Sequence, residues 1–227
     1  MKFVSAIIVI ILLLGGQSGF SQGFVNLDFE SANLPTIPEG QFGGYVSRTN
    51  AIPGWTAFTD GNQTTQILQN NLTLGAPGIE ILGPDWNLGG VIQSNYTVVL
   101  TAGVGGHTVS ISQTGLIPVS ATSILFQASG GNPGGFTFQV SFGGQYLNYS
   151  SISAGSNYTL YGADISAFAG QSGALNFSVA SIGSNFGYSY LDAIQFSSSP
   201  VPEPGVLGFF ALGGVLFGLR RWKHTSR

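Results

Sequence analysis

Phe136-Thr-Phe-Gln-Val-Ser-Phe142, followed by Gly143-Gly144 and Gln145-Tyr-Leu-Asn-Tyr149, is the stretch that decides the fold. Phe136, Phe138, Val140 and Phe142 alternate with Thr137, Gln139 and Ser141, the two-residue period of a strand that buries one face. Paired glycines suit a two-residue hairpin turn, whose central residues take positive φ. The segment therefore reads as a β-hairpin with strands at Phe136–Phe142 and Gln145–Tyr149.

The pattern continues on both sides. His107–Gln113 alternates Val109 and Ile111 with Thr108, Ser110 and Ser112, and Thr122–Gln127, Asn157–Gly162, Ala174–Ala180 and Tyr188–Phe196 are further strands. Toward the N-terminus, Val25, Leu27 and Phe29 alternate with polar residues, and Gly54–Phe58, Thr65–Leu68, Gly78–Leu82 and Gly90–Gln93 carry shorter strand signals. Asp164–Ala169 has room for one helical turn. No window between Ser21 and Pro200 sustains a 3.6-residue apolar period. Many short strands separated by Gly, Asn, Ser and Pro predict an all-β sandwich in one domain over residues 23–196. Gly-Gly pairs recur without a fixed period, so they mark turns rather than a repeat.

Charge is sparse and uneven. Charged residues make up 7% of the 227, against about a quarter in ordinary soluble domains. Between Ser21 and Pro200 the only base is Arg48, set against Asp28, Glu30, Glu39, Asp60, Glu80, Asp85, Asp164 and Asp192 for a net −7. A surface with one arginine and no lysine cannot neutralise a phosphate backbone, which excludes nucleic acid as a partner. There are no cysteines, so disulfides, thiolate metal sites and cysteine nucleophiles are excluded together.

The two ends read as addresses. Lys2, the apolar run Phe3–Leu14 and small residues at Gly19 and Ser21 have the order of a secretory signal peptide over residues 1–22, an apolar helix cut near Ser21. At the other end a short linker, residues 197–201, leads to Pro202-Glu203-Pro204, an apolar run Val206–Leu219, and the bases Arg220, Arg221 and Lys223. Fourteen helical residues reach about 21 Å, short of a hydrocarbon core of about 30 Å. A transmembrane helix there would lean on snorkelling bases held at the cytoplasmic side, leaving the domain outside. This three-part tail, residues 202–227, resembles the PEP-CTERM sorting signal. The resemblance implies processing by an exosortase, transient membrane anchoring, and export to the cell envelope or beyond it in an organism that makes exopolysaccharide.

The domain has a resemblance of its own. Asn26-Leu-Asp-Phe-Glu30, Pro53-Gly54-Trp55 and Leu191-Asp192-Ala-Ile194-Gln-Phe196 are similar to segments of galactose-binding-like jelly rolls of the carbohydrate-binding-module type. This implies a jelly-roll β-sandwich. In that family an acid near the end of the last strand and oxygens near the first hold a structural Ca²⁺, which here implies Asp192 and Glu30 as ligands. The residues alone leave a second reading open. Tyr188, Tyr190, Asp192, Ile194 and Phe196 would share one strand face, where an unpaired carboxylate is costly, so Asp192 either binds a cation or caps a loop by accepting backbone N–H groups.

Flat aromatic faces stack on pyranose rings. Trp55, Trp86, Tyr45, Tyr96, Tyr146, Tyr149 and Tyr158 are the candidates. Trp55, after Pro53-Gly54 at a strand start, reads as core, whereas Trp86 with Asp85 sits in the polar turn Gly83–Asn87 and is the candidate glycan-binding pair. Asn62-Gln63 and Asn70-Asn71 add polar loop chemistry without specificity. His107 is the only histidine of the domain and reads as solvent-facing, which argues against a Ser-His-Asp triad and against histidine metal cages. Glu80 and Asp85 are the nearest thing to a glycosidase carboxylate pair. Six Asn-x-Ser/Thr triplets are expected by composition and carry no function. The expectation is a non-catalytic, exosortase-sorted protein of the cell surface or extracellular matrix, associated with exopolysaccharide or biofilm. A lectin-like carbohydrate-binding module is the alternative, and a secreted glycoside hydrolase the third reading.

Overall fold

The computed structural model describes residues 23–73, 75–86, 88–130 and 135–201. The signal-peptide segment and the sorting tail, with Pro202, Glu203, Pro204, Arg220, Arg221 and Lys223, lie outside the described residues. Among the described residues no helix is long and apolar enough to cross a membrane.

Two sheets face each other. The first strands are β1 (Tyr45–Ser47), β2 (Thr56–Thr59), β3 (Asn62–Thr64), β4 (Gln66–Gln69) and β5 (Gly78–Leu82), with one short helix α1 (Arg48–Ala51). The rest are β6 (Thr97–Gly103), β7 (Thr108–Leu116), β8 (Ser123–Ser129), β9 (Phe136–Phe142), β10 (Gln145–Tyr146), β11 (Tyr149–Ala154), β12 (Thr159–Asp164), β13 (Ser172–Ser181) and β14 (Gly187–Ser197). One sheet runs β1-β4-β5-β6-β14-β8-β12-β11 and the other β10-β9-β13-β7-β2-β3.

From β6 onward the chain wraps. β6 pairs with β14, β7 with β13, β8 with β12, and β9 with β10, all antiparallel. First with last and second with penultimate is the nested pairing of a jelly roll. The strands before β6 widen both sheets: β4 and β5 extend one beyond β6, and β2 with β3 extends the other beyond β7.

Alternation fixes which face goes inward. β7 buries Val109, Ile111 and Gln113 and leaves Ser110 and Ser112 half-buried; β13 does the same with Leu175, Phe177 and Val179. Trp55, Phe29, Phe126 and Phe177 fill the centre, with ring centroids 5.8 Å apart for Phe29–Trp55 and 5.4 Å for Phe126–Phe177. Trp55 is fully buried, and its indole N–H donates to the Asn26 carbonyl at 2.9 Å, which satisfies its one polar group. The Gly143-Gly144 turn has φ of 57° and 82°, as the paired-glycine hairpin requires, and a short 3₁₀ turn at Ser166–Phe168 lies within Asp164–Ala169.

Four expectations are corrected. Residues 25–29 are not a strand, because Asn26 and Phe29 take φ of 51° and 60°; the segment turns back to lay Phe29 in the core. Residues 90–93 form a loop rather than a strand. Gln145–Tyr149 is not continuous: β10 ends at Tyr146, and Tyr149 starts β11 in the other sheet. The face expected along β14 is split by a bulge at Ala193, φ 48°, with the register shifting between Asp192 and Gln195. Ile194 and Phe196 therefore pack with Leu191 in the core, while Asp192 projects outward with Tyr188 and Tyr190. β14 itself continues to Ser197, and Ser123 Oγ donates to the Ser199 carbonyl at 2.7 Å, so the stretch read as a linker starts against the sandwich.

Candidate functional site

β4 and β5 are parallel neighbours, with Leu68 opposite Glu80 and Gln69 opposite Ile81. A parallel pair needs a crossover, and here the chain leaves β4 at Asn70 and returns at Gly78. Asn70 sits at that corner with φ 42°, a left-handed conformation that Asn tolerates better than most residues. Its backbone N–H donates to the Ile81 carbonyl at 2.9 Å, and its own carbonyl accepts from Gly43 N. Its side-chain oxygen accepts from Gly83 N at 2.7 Å.

Those last two bonds hold the two walls of a cleft. One wall is the turn Pro38-Glu39-Gly40-Gln41, closed by Gln41 N donating to the Pro38 carbonyl at 3.1 Å; Gly40 at φ 75° makes it a type II turn. Gly43 then passes so close to the Gln69 carbonyl that any side chain would collide with it, which is why the wall can approach β4. The other wall is Gly83-Pro84-Asp85-Trp86, closed by Trp86 N donating to the Gly83 carbonyl at 2.9 Å, with the indole N–H tied to the Gly89 carbonyl.

The cleft has a volume of about 390 Å³. Apolar surface comes from Phe42, Trp86 and Leu88; Phe42 is 70% exposed and Leu88 71%. Glu39 and Asp85, both exposed, supply carboxylates, and Gln41 an amide. Asn70 lies at the floor, 4% exposed. Its side-chain oxygen is held by Gly83 N, which fixes the amide against the second wall. Trp86 and Asp85, the candidate glycan-binding pair, line this cleft together with Asn70, Phe42, Gln41 and Glu39.

Trp55 is core and plays no part in this surface, and Tyr96 and Tyr149 are half-buried against the core. Tyr45 and Tyr146 are exposed on short edge strands β1 and β10. Two smaller aromatic recesses exist elsewhere: one of about 170 Å³ includes Tyr188, Tyr190 and Thr73, and one of about 260 Å³ includes Phe138, Tyr149 and Tyr161.

Glu80 is fully buried beneath the β4–β5 crossover and does not line the cleft, so it makes no carboxylate pair there with Asp85. It accepts from Thr73 N, Thr73 Oγ1 and Thr101 Oγ1, the last at 3.0 Å. Burial pushes its carboxyl up to about 7 despite those bonds. His107, half-buried just before β7, pairs with Asp60 of the β2–β3 turn at 2.7 Å; the backbone N–H of Thr108, then His107, hold Asp60 below the usual carboxylate range.

Glu30 and Asp192 converge on the loop that enters β6. Glu30 Oε1 accepts from Asn95 N and Tyr96 N, each at 2.9 Å, and Oε2 from Asn95 Nδ2. Asp192 Oδ2 accepts from Thr97 Oγ1 at 2.7 Å and Gln93 N at 3.2 Å, and Oδ1 from Ala193 N. The loop-capping alternative for Asp192 is therefore realised. Burial first, and the nearby Glu30 charge last and least, push Asp192 up to about 6 against its hydrogen bonds. Asn26, Phe29, Ser94 and Ala193, all at positive φ, surround the pair. All four oxygens of the two acids accept hydrogen bonds, so a divalent cation here would have to share them with those donors. Among the described residues no third Asp, Glu, His or Cys joins them.

No family model matches the chain. No curated protein matches it either. Among solved structures it is similar to TmCBM61 in complex with β-1,4-galactotriose, at 13% identity and TM-score 0.42, over 78% of this chain and 99% of that one. It is also similar to the family 11 carbohydrate-binding module from Clostridium thermocellum in complex with a β-1,3-1,4-mixed-linked tetrasaccharide, at 10% identity and TM-score 0.37, over 72% of this chain and all of that one. A third is the enzymatically active domain of bacteriophage CBA120 tailspike protein 4, at 14% identity and TM-score 0.35; 63% of this chain aligns with 19% of that one.

Proposed function

We propose that the domain is a non-catalytic carbohydrate-binding module whose site is the Asn70 cleft. The observation that carries this reading is the cleft itself: an open recess of about 390 Å³ whose lining sets Trp86, Phe42 and Leu88 beside the polar side chains of Asn70, Gln41, Glu39 and Asp85. The wall residues supply the chemistry of sugar recognition. Trp86 and Phe42 offer faces for stacking, while Asp85, Glu39 and Gln41 offer acceptors and a donor for ring hydroxyls.

The non-catalytic part of the reading is supported by the placement of the acids. The two acids of the cleft, Glu39 and Asp85, are both exposed, and the acid with the strongly raised carboxyl, Glu80, is sealed away from it. The delivery reading rests on the tail: Pro202-Glu203-Pro204, the short apolar run and Arg220, Arg221 and Lys223 support an exosortase-sorted protein shown at the cell surface or in exopolysaccharide. In the same reading a structural Ca²⁺ would add to the loop capping by Glu30 and Asp192, sharing their oxygens with the donors of residues 93–97 and neutralising two like charges.

A glycan array probed with the purified protein tests the proposal. Micromolar binding to a defined oligosaccharide family, without release of reducing sugar, is expected. An array without a hit, or turnover of a bound glycan, would refute it.

A further inference from the structure

We infer that the recess at Tyr188 and Tyr190 is a second site, separate from the Asn70 cleft, and that it takes a quaternary ammonium group such as the head of choline. It lies on the outer face of the eight-stranded sheet. There Tyr188 stands opposite Thr101 and Tyr190 opposite Val99, while Val98, Leu100 and Leu191 turn into the core. At about 170 Å³ it is below the roughly 300 Å³ at which sites for drug-sized ligands begin, so it suits a headgroup rather than an oligosaccharide.

Three rings shape the recess. Tyr188 and Tyr190 meet at 84° with centroids 5.7 Å apart, and the inner angle of such a pair is bounded by a face of each ring. Phe186 continues the wall, its centroid 5.5 Å from that of Tyr188. Gly90, at φ 101°, lies so near Tyr190 that a Cβ there would fall 2.6 Å from the ring, which holds the ring in place. Ring faces are the negative side of the aromatic quadrupole and attract cations.

A carboxyl backs the rings. Glu80 projects to the same outer face, opposite Leu68 of β4 and Val99 of β6. Thr73 Oγ1 and Thr101 Oγ1 line the recess and donate to it at 3.2 and 3.0 Å. A hydroxyl whose proton goes to a carboxylate keeps its oxygen lone pairs for another partner. Burial disfavours the charged form of Glu80, and a cation in the recess would offset that cost. Leu72 and Val99 add apolar contact. This lining favours a cation sheathed in methyl groups over a lysine-like ammonium, a strongly hydrated point charge with three donors to satisfy.

Calorimetric titration of the full-length protein with choline and with neohexanol, its uncharged carbon isostere, tests this. Choline is expected to bind about tenfold more tightly or better. Its affinity should rise several-fold from about pH 6 to about pH 8, as the Glu80 carboxyl, raised to about 7, ionises. Tyr190, the titratable group facing Glu80 from β14, has its hydroxyl pushed up by burial first, and Leu68, Val99, Thr101 and Thr73, which face it from β4, β6 and the crossover, do not ionise. Glu80→Gln should remove the pH dependence and most of the preference for choline, and Tyr190→Leu should abolish choline binding. Where a variant fails to fold, the wild-type comparison of choline with neohexanol decides alone. Equal affinity for the two, or no choline binding, would overturn the inference. Glycerophosphocholine and glycine betaine distinguish the source: tighter binding of the first marks a lipid headgroup, of the second a free solute. Failure here leaves the carbohydrate-binding reading standing, and a glycan array without a hit leaves this inference standing.

Discussion

The side-chain oxygen of Asn70 accepts the Gly83 backbone N–H at 2.7 Å, while the Asn70 carbonyl accepts from Gly43. One residue at the end of β4 therefore holds both walls of the cleft, and it lines the cleft itself. Asn70→Asp keeps the acceptor for Gly83 and tolerates the left-handed backbone, but replaces the donor with an oxygen. Oligosaccharide affinity is expected to fall by about tenfold or more with little loss of melting temperature, read by calorimetry and thermal unfolding. Unchanged affinity would remove Asn70 from the site.

Trp86 lies in a surface turn, so the proposed site predicts that its ring matters more to ligand binding than to the fold. Trp86→Ala should cost about 2 kcal/mol of binding or more, as buried aromatic anchors do, and lower the melting temperature by no more than a few degrees. Trp55→Ala should do the reverse, destabilising by about 3–5 kcal/mol because that ring fills the centre of the sandwich.

Glu80 makes stability depend on pH in an unusual direction. Its carboxyl is raised in the fold from 4.5 to about 7, so the fold prefers it protonated. That contribution is complete below about pH 4.5 and is lost as pH rises through 7. Asp192, raised from 3.8 to about 6, acts in the same sense at lower pH. The melting temperature is expected to fall by several degrees between pH 5 and pH 8. Glu80→Gln, which keeps the bulk and removes the charge, should flatten the part of that fall above pH 6. A wild-type curve that rises toward pH 8 would contradict the assignment.

Much of the sandwich was legible because its outer face meets water. β7, β9 and β13 alternate cleanly, and so appear in the sequence as a period of two. β6 did not: all seven of its residues are buried, because loops cover the outer face and the core covers the inner one. Without an exposed face there is no alternation to read. Val25–Phe29 shows the opposite error, an alternation produced by a turn whose Asn26 and Phe29 are left-handed. In the site, Trp86 and Asp85 were visible as an aromatic and an acid in a polar turn. Asn70 was seen only as generic loop chemistry. Its role depends on bonds to Gly43 and Gly83, and neither hydropathy nor spacing encodes those contacts.

Glu30 and Asp192 give a separate test. Adding Ca²⁺ to chelator-treated protein is expected to raise the melting temperature by several degrees, and Asp192→Asn should remove that response. A melting temperature indifferent to Ca²⁺ would leave the pair as loop caps alone, a role their bonds to residues 93–97 already fulfil.

The central claim is the location of the glycan site, and side-chain NMR resolves it most directly. Titration of isotope-labelled protein with its tightest-binding oligosaccharide should shift the Asn70 side-chain amide and the Trp86 indole resonance, with backbone shifts confined to residues 38–43 and 83–90. Shifts centred on Tyr188 and Tyr190, or on Tyr149 and Tyr161, with Asn70 and Trp86 unmoved, would place the sugar elsewhere and contradict the account.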